Sequence, residues 1–187
     1  DTGAIVLTGA GRAFCAGLDL KELSEEATSG IGNENTIQAI RAFEGPLIGA
    51  VNGFAITGGF ELALACDLRI ASDNAIMTTA FAKVGFSGDY GGSYFISKLI
   101  GAAKARELYM LSDRIDAIEA GRLGLINRVV PDDALQKETQ ALAHRLAHGP
   151  TVAYRYIKEN INRALEGGGL GECLDLEATH HVHASFT

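Results

Sequence analysis

Residues 52–61 read Asn-Gly-Phe-Ala-Ile-Thr-Gly-Gly-Phe-Glu, and they follow the apolar run Leu-Ile-Gly-Ala-Val at residues 47–51. The run has the length and composition of a buried strand, and a helical pattern begins at Phe60. The glycines between them allow the backbone to come close to a ligand. The stretch therefore predicts a strand, a glycine turn and a helix whose N-terminal end can stabilise negative charge.

A second glycine turn lies earlier in the chain. Residues 13–20 read Ala-Phe-Cys-Ala-Gly-Leu-Asp-Leu, and they come after a strand-like run at residues 4–7. In open α/β sheets, ligands bind beyond the carboxyl ends of the strands. Both turns can direct backbone N–H groups towards such a site. Two amides, one from each turn, would form an oxyanion hole.

The rest of the chain continues the alternation of strands and helices. A third strand is predicted at residues 68–71 and a short one at 125–130. Helices are predicted at residues 36–43, 60–65, 102–111, 116–124, 135–148 and 152–165 and from 171 onward. These elements predict an α/β fold in which helices cover a parallel sheet, and a helical C-terminal region. We divide the chain into a core at residues 1–130 and a helical region at residues 131–187.

Composition limits the function classes. The 187 residues are 47% hydrophobic, enough for one domain with a substantial core, and the net charge is -7. Such a charge attracts neither nucleic acid nor an anionic membrane, so neither is an expected partner. Three widely spaced cysteines favour reduced thiols over a disulfide framework. No stretch approaches the roughly 20 apolar residues of a membrane span. A cytoplasmic protein is expected.

Two further expectations concern the ends and the surface. The first residue is Asp and a strand pattern begins at once, so we expect the natural protein to be longer. Residues 24–35 are rich in Ser, Gly, Glu and Asn, which predicts a mobile surface loop. Beyond Gly167 the helical pattern has apolar residues with no sheet to cover, and this predicts a homo-oligomer. They are Leu170, Leu174, Leu176 and Val182.

The order of these motifs resembles the crotonase family, the enoyl-CoA hydratases and isomerases. The resemblance rests on Ala-Phe-Cys-Ala-Gly-x-Asp-Leu from residue 13 and Ala-Val-Asn-Gly-x-Ala-x-x-Gly-Gly-x-Glu-Leu-Ala-x-x-Cys-Asp from residue 50. Glu-Ala-x-x-Leu-Gly-Leu-Ile-Asn from residue 119 extends it. It implies a crotonase-like ββα spiral core and an enzyme of fatty acid metabolism. The substrate would be an acyl-CoA or enoyl-CoA thioester, and the assembly a homotrimer or a hexamer of paired trimers. Coenzyme A would be part of the substrate, with no separate cofactor or metal.

The resemblance also implies roles for single residues. It assigns the two oxyanion amides to Leu18 and Gly58, and a catalytic carboxylate to Glu61. It places the adenine end of coenzyme A against carbonyls around Cys15 and Ala16. Further contacts with substrate or coenzyme A are expected from Gly17, Asp19, Leu20, Lys21, Phe60, Phe81 and Phe86. The structural alternative for Glu61 is compensation of the helix dipole.

Asp89 is the second candidate carboxylate. It aligns with a position where crotonase-family isomerases and a dehalogenase branch use an aspartate, whereas Phe81 stands where hydratases carry their second glutamate. The resemblance therefore makes double-bond isomerisation at least as plausible as hydration, with Glu61 and Asp89 as acid and base. An apolar wall of phenylalanines beside Asp89 would raise its pKa. Its structural alternative is helix capping.

Other functions stay open at this level. Asp89 as a nucleophile would give an acyl-CoA hydrolase or a dehalogenase. A catalytically silent member that binds coenzyme A or RNA is the remaining class, and the acidic charge counts against RNA. His180, His181 and His183 suggest a metal site, but they lie far from the two turns, so a solvent-facing or interface role is predicted. Cys15 has no nearby histidine to activate it and is read as a packing residue.

Overall fold

Residues 2–17 and 34–186 are described by the computed structural model, and eight strands lie within these ranges. In chain order they are β1 (Ile5–Thr8), β2 (Ala13–Cys15), β3 (Leu47–Val51), β4 (Phe54–Ile56), β5 (Leu68–Ser72), β6 (Ile76–Thr78), β7 (Ile115–Asp116) and β8 (Arg128–Val130). They form two four-stranded sheets, ordered β1-β3-β5-β8 and β2-β4-β6-β7. Neighbouring strands are parallel, except for the antiparallel pair β6 and β7.

Eight α-helices lie in the same described ranges. They are α1 (Glu34–Ala42), α2 (Gly58–Ala65), α3 (Gly92–Ile100), α4 (Ala102–Leu111), α5 (Ala117–Leu123), α6 (Leu135–Ala147), α7 (Thr151–Leu165) and α8 (Leu170–Ala184). Short 3-10 turns occupy Phe81–Val84 and Asp132–Ala134. The α/β fold with a helical C-terminal region is therefore confirmed. No helix among these eight is long and apolar enough to cross a membrane.

A repeated ββα unit builds the core. In each unit one strand joins the first sheet, the next joins the second sheet, and a helix follows. The units β3-β4-α2 and β5-β6-α3 show this directly. The spiral core that the resemblance implied is therefore present. The pattern of apolar residues predicted the first sheet alone, because the strands of the second sheet are only two or three residues long.

The centre of the core lies between β3 and α2. All five residues of β3 are buried, as expected for a central parallel strand covered on both faces. Phe60 and Leu64 of α2 pack in the same apolar cluster as Val51 and Met77. β3 and α4 begin and end at the predicted residues, whereas α2 begins two residues earlier than predicted, at Gly58. After β3 the chain forms β4 and then enters the buried helix α2 at its N-terminal end.

The C-terminal helices divide into two groups. Helix α6 packs on β1, β3 and β5, while α7 and α8 pack against each other. The division at residue 130 stays a prediction, and so does the oligomer. On α8, Leu170, Leu174 and Val182 are 78%, 56% and 52% exposed. Of the predicted loop at residues 24–35, only the last two residues are described, and they belong to α1.

The histidine prediction is wrong for His180. Its side chain is buried, stacked on Tyr156 at 4.2 Å between ring centroids, and its Nδ1 lies 2.6 Å from Asn160 Oδ1. His180 therefore holds α8 against α7 through the ring stack and the contact with Asn160. His181 and His183 are exposed. Within the described ranges, no group of three His, Cys, Asp or Glu side chains is arranged to hold a metal ion.

Candidate active site

The two glycine turns lie against each other. A Cβ on Gly59 would lie 2.1 Å from the carbonyl oxygen of Cys15, at the end of β2. Gly17 has a φ of 86°, and a Cβ on it would lie 2.0 Å from Thr57 Oγ1. Only glycine permits such contacts and, at Gly17, this backbone conformation. The parallel pairing of β2 with β4 brings both turns to the same edge.

The backbone before α2 is strained. Thr57 has a φ of 51° and a ψ of -126°, and β-branched residues rarely adopt a positive φ. Such outliers cost on the order of 1–3 kcal/mol and collect at functional sites. Helix α2 starts immediately afterwards, at Gly58, whose N–H has no acceptor among residues 2–17 and 34–186. This amide is therefore an available donor at the positive end of a buried helix.

Glu61 lies in the first turn of α2 and is fully buried. The Tyr109 hydroxyl donates to Glu61 Oε1 at 2.5 Å, and the Tyr90 backbone N–H donates to Oε2 at 2.6 Å. A buried carboxylate is tolerated only when it is hydrogen-bonded or paired. Each oxygen of Glu61 thus has its own donor, which fixes the plane of the carboxylate.

A glycine-rich turn at residues 88–92 wraps around Glu61. A Cβ on Gly92 would lie 2.3 Å from Glu61 Cγ, and a Cβ on Gly88 would lie 3.4 Å from Glu61 Oε1. The same turn brings Asp89 to the oxyanion turn, since Asp89 Oδ1 lies 3.2 Å from the position of a Cβ on Gly58. Gly58, Glu61 and Asp89 therefore meet at one place.

A polar cavity of about 240 Å³ opens at this meeting point. Its walls are formed by both carboxylates and by the glycine-rich turn. The lining residues are Glu61, Ser87, Gly88, Asp89, Gly91, Gly92 and Ser93. An apolar cavity of about 380 Å³ lies at the other end of α2, beside α7, and neither carboxylate reaches it. Both candidate catalytic carboxylates, Glu61 and Asp89, line the smaller, polar cavity.

Asp89 has a raised pKa. Partial burial of its carboxyl group raises the pKa from 3.8 to about 6, and the negative charge of Glu61 adds to the increase. Asp89 as a residue is nevertheless exposed on its outer side. A carboxyl group that titrates near neutral pH and can be reached from the cavity is suited to carry a proton.

Asp89→Asn should change the pH dependence of stability. A carboxyl group whose pKa is raised by folding contributes stability that is fully present below its ordinary pKa and is lost as pH rises through the folded value. Wild-type protein should lose this contribution between about pH 4 and pH 6. In thermal unfolding followed by circular dichroism, the melting temperature of Asp89→Asn should therefore rise relative to wild type between these values. Parallel curves for both proteins would contradict the raised pKa.

Of the predicted substrate contacts on the first glycine turn, those that the structure describes are not among the residues that line the cavity. Leu18, Asp19, Leu20 and Lys21 lie outside the described residues. Cys15 is half-buried, and Ala16 is exposed beside Gly17.

None of the three phenylalanines predicted to form a wall beside Asp89 is among the residues that line the polar cavity. Phe60 belongs to the main core, Phe81 stacks on Tyr109, and Phe86 is 51% exposed. Their contact with a substrate stays a prediction.

Tyr90 and Tyr109 were not found by sequence reasoning. The Tyr90 ring covers the oxyanion turn, since its Cδ2 lies 2.9 Å from the position of a Cβ on Gly58. Tyr109 lies four residues after Ala105, on the buried face of the predicted helix α4. A phenol on a buried face needs a hydrogen-bond partner, and this is the signal in the sequence that could have identified Tyr109.

Comparison with known proteins agrees with this geometry. The family model described as enoyl-CoA hydratase/isomerase matches residues 1–186. The short-chain-enoyl-CoA hydratase of Clostridium acetobutylicum is 36% identical over 199 residues, covering 98% of this chain and 76% of that protein. A probable enoyl-CoA hydratase of Mycobacterium bovis is 40% identical over 169 residues, covering 89% of this chain and 66% of that protein. The chain spans about two thirds to three quarters of the length of these relatives.

Solved structures show the same similarity. An enoyl-CoA hydratase from Bacillus anthracis has a TM-score of 0.93 at 34% identity, covering 98% of this chain and 73% of that one. A monofunctional enoyl-CoA isomerase from M. smegmatis has a TM-score of 0.76 at 34% identity, covering 91% of this chain and 75% of that one. With a family model that spans almost every residue and relatives at this level of identity, the chain belongs to the enoyl-CoA hydratase/isomerase family.

Proposed function

We propose that this protein acts on an enoyl-CoA thioester and moves its carbon–carbon double bond. The observation that carries the proposal is a polar cavity lined by the carboxyl groups of Glu61 and Asp89, with Asp89 beside Gly58, whose amide N–H has no acceptor within the described ranges. The amide supplies a donor for a thioester carbonyl, and the carboxyl groups supply a base and a fixed negative charge. The Leu18 amide would be the second donor, as the resemblance implies.

The reaction would proceed through an enolate. Asp89, as the carboxylate, removes a proton from a carbon near the thioester, and the electrons of the broken C–H bond move to the carbonyl oxygen. The Gly58 N–H stabilises the charge that develops there, and one such donor is worth roughly 10²–10³ in turnover. Asp89 then returns the proton to a different carbon of the enolate, and the carbonyl group forms again. No atom is gained or lost, and the double bond has moved.

The Phe81 side chain favours isomerisation over hydration. Hydration needs a group that activates water, and the family's second glutamate would stand at this position. Phe81 is instead buried, with its ring parallel to that of Tyr109 at 6.2 Å between centroids. An apolar ring can neither accept a proton from water nor orient it. Among the described residues, Glu61 and Asp89 are the carboxylates that line the cavity.

A substrate panel tests this proposal. We expect 3-enoyl-CoA and 2-enoyl-CoA thioesters to interconvert, with water addition much slower, when migration and hydration are measured separately by absorbance and mass spectrometry. Aryl-acetyl-CoA thioesters extend the panel. Hydration without migration would overturn the proposal. So would an acyl group found covalently attached to Asp89, which is the result expected of a hydrolase or a dehalogenase.

A further inference from the structure

Tyr109 reaches Glu61 from a distant part of the chain. It lies near the end of α4, 48 residues after Glu61, and its hydroxyl donates to Glu61 Oε1 at 2.5 Å. Burial raises the pKa of Tyr109, and the hydrogen bond with Glu61 and its negative charge add to the increase. The phenol therefore keeps its proton at neutral pH and acts as a donor to the carboxylate.

Buried hydroxyl groups hold the end of α4 in place. Thr78 Oγ1, at the end of β6, donates to the Ser112 carbonyl at 3.1 Å, and Thr79 Oγ1 donates to the Leu108 carbonyl at 2.9 Å. Ser112 Oγ in turn donates to the carbonyl of Tyr109 at 3.1 Å. These bonds fasten the last turn of α4 to the second sheet. The position of the Tyr109 hydroxyl is thus set by the fold and not by Glu61 alone.

Phe81 restrains the ring of Tyr109 from the side. The two rings are nearly parallel, with 5° between their planes, in the offset range where aromatic pairs attract. Phe81 is 4% exposed, so its own ring has little freedom. The residue at the position of the family's second glutamate therefore supports a tyrosine that contacts the first.

We propose that Tyr109 is a positioning residue that holds Glu61 as a fixed carboxylate, so that Asp89 is the group that takes up and returns the proton. The inference rests on the proposed function for the identity of the reaction. The assignment of charge between Glu61 and Asp89 is independent of the substrate.

The hydrogen-bond geometry supports this assignment. Tyr109 and the Tyr90 backbone N–H each donate to a different oxygen of Glu61. A proton on Oε2 would face the Tyr90 N–H, which cannot accept it, and a proton on Oε1 would force the Tyr109 hydroxyl to turn from donor to acceptor. Asp89 is exposed towards the solvent side and lines the cavity, so a proton can reach it and leave it.

The other titratable groups near the pair are few in the described part of the chain. Tyr109 faces Glu61 from α4, and Tyr90 lies in the turn that carries Asp89. Cys15, at the end of β2, interacts with the Tyr90 phenol. None of them is a cation that would compete with Tyr109 for Glu61. Asp89 is itself hydrogen-bonded to Glu61, so among the described residues the Tyr109 hydroxyl is the side-chain donor that reaches Glu61 from outside the pair.

The test is Tyr109→Phe, which keeps the ring and its stack on Phe81 and removes only the hydroxyl. We expect kcat to fall roughly 10- to 100-fold, the usual effect of losing a hydrogen bond to a charged group, with KM changed little. The midpoint of the acidic limb of the pH–rate profile should rise by roughly one unit. Tyr94→Phe is the matched control, because the Tyr94 hydroxyl is buried with no partner in the described ranges. It should leave kcat and the midpoint unchanged.

A second measurement needs no substrate. Carboxyl ¹³C NMR of the wild-type protein should show Asp89 taking up the proton near pH 6, and Tyr109→Phe should shift part of this uptake to Glu61. If Glu61 takes up the proton in wild-type protein, or if its signal is unaffected by Tyr109→Phe, the inference is wrong. A lower kcat with an unchanged pH midpoint would also contradict it, because that result indicates a packing role. If only the substrate panel failed, the proposed function would be wrong and the inference about Tyr109 would stand, because the NMR measurement does not depend on turnover.

Discussion

Asp89→Asn is expected to lower turnover by roughly 10² to 10⁴, the usual contribution of a positioned acid or base. Asparagine keeps the shape of the side chain, but it cannot accept and return a proton. The alternative role of helix capping is wrong, because α3 begins after Gly91 without a side-chain cap. The substitution leaves the Gly58 amide and the Cys15 turn untouched, so coenzyme A binding should be preserved. The measurements are kcat on the best substrate of the panel and calorimetric binding of coenzyme A.

The pH profile gives this prediction a second readout. Wild-type activity should fall as pH drops through about 6, where Asp89 becomes protonated, and the variant should lack this limb. Asp113→Asn is a suitable control, because Asp113 is an exposed aspartate in the turn after α4. Near-wild-type turnover in Asp89→Asn would remove Asp89 from the chemistry and leave a role in the glycine-rich turn, because α3 begins after Gly91 without a side-chain cap.

Glu61→Gln is expected to lower turnover by roughly 10²-fold, through the loss of buried hydrogen bonds to a charged group and not through the loss of a proton carrier. Glutamine has one acceptor oxygen, so if that oxygen accepts from the Tyr90 N–H, its NH₂ group faces the Tyr109 hydroxyl, which must turn from donor to acceptor. Both donors then lose their charged acceptor, and the fixed negative charge beside the substrate is lost. The measurements are kcat and KM with the same substrate as for Asp89→Asn.

Glu61→Gln should also move the pKa of Asp89 in a defined direction. The charge of Glu61 contributes to the raised pKa of Asp89, so its removal should lower that pKa from about 6 towards 3.8. The acidic limb of the pH–rate profile should shift down accordingly. Glu107→Gln on α4 is the control, since its exposed ion pair with Lys104 contributes little. A limb that stayed near pH 6 would contradict a contribution of Glu61 to the raised pKa of Asp89.

Several parts of the site followed from local sequence. The run at residues 47–51 reads as a buried strand because all its side chains are apolar, and the structure buries every one of them. Gly58 and Glu61 are three residues apart, so a helix that begins at this turn places the amide and the carboxylate on one end. The close contact of Gly17 and Gly59 with the opposite turn explains why these two positions carry glycine.

The second sheet could not be predicted from its strands. Ala13–Cys15, Phe54–Ile56 and Ile76–Thr78 have three residues each, too few to show the alternation of apolar and polar side chains. Their pairing depends on the parallel sheet beneath them.

The charge state of the candidate site was decided by tertiary contacts. Glu61 and Asp89 are 28 positions apart in the printed sequence, and their proximity comes from a glycine-rich turn that closes on Glu61. Tyr109 lies a further helix away, and no local pattern connects it with Glu61. Local sequence specifies strands, turns and helix starts because neighbouring residues set the backbone conformation. The partners of a buried carboxylate are specified only when distant elements pack, because desolvation and hydrogen bonding act across space and not along the chain.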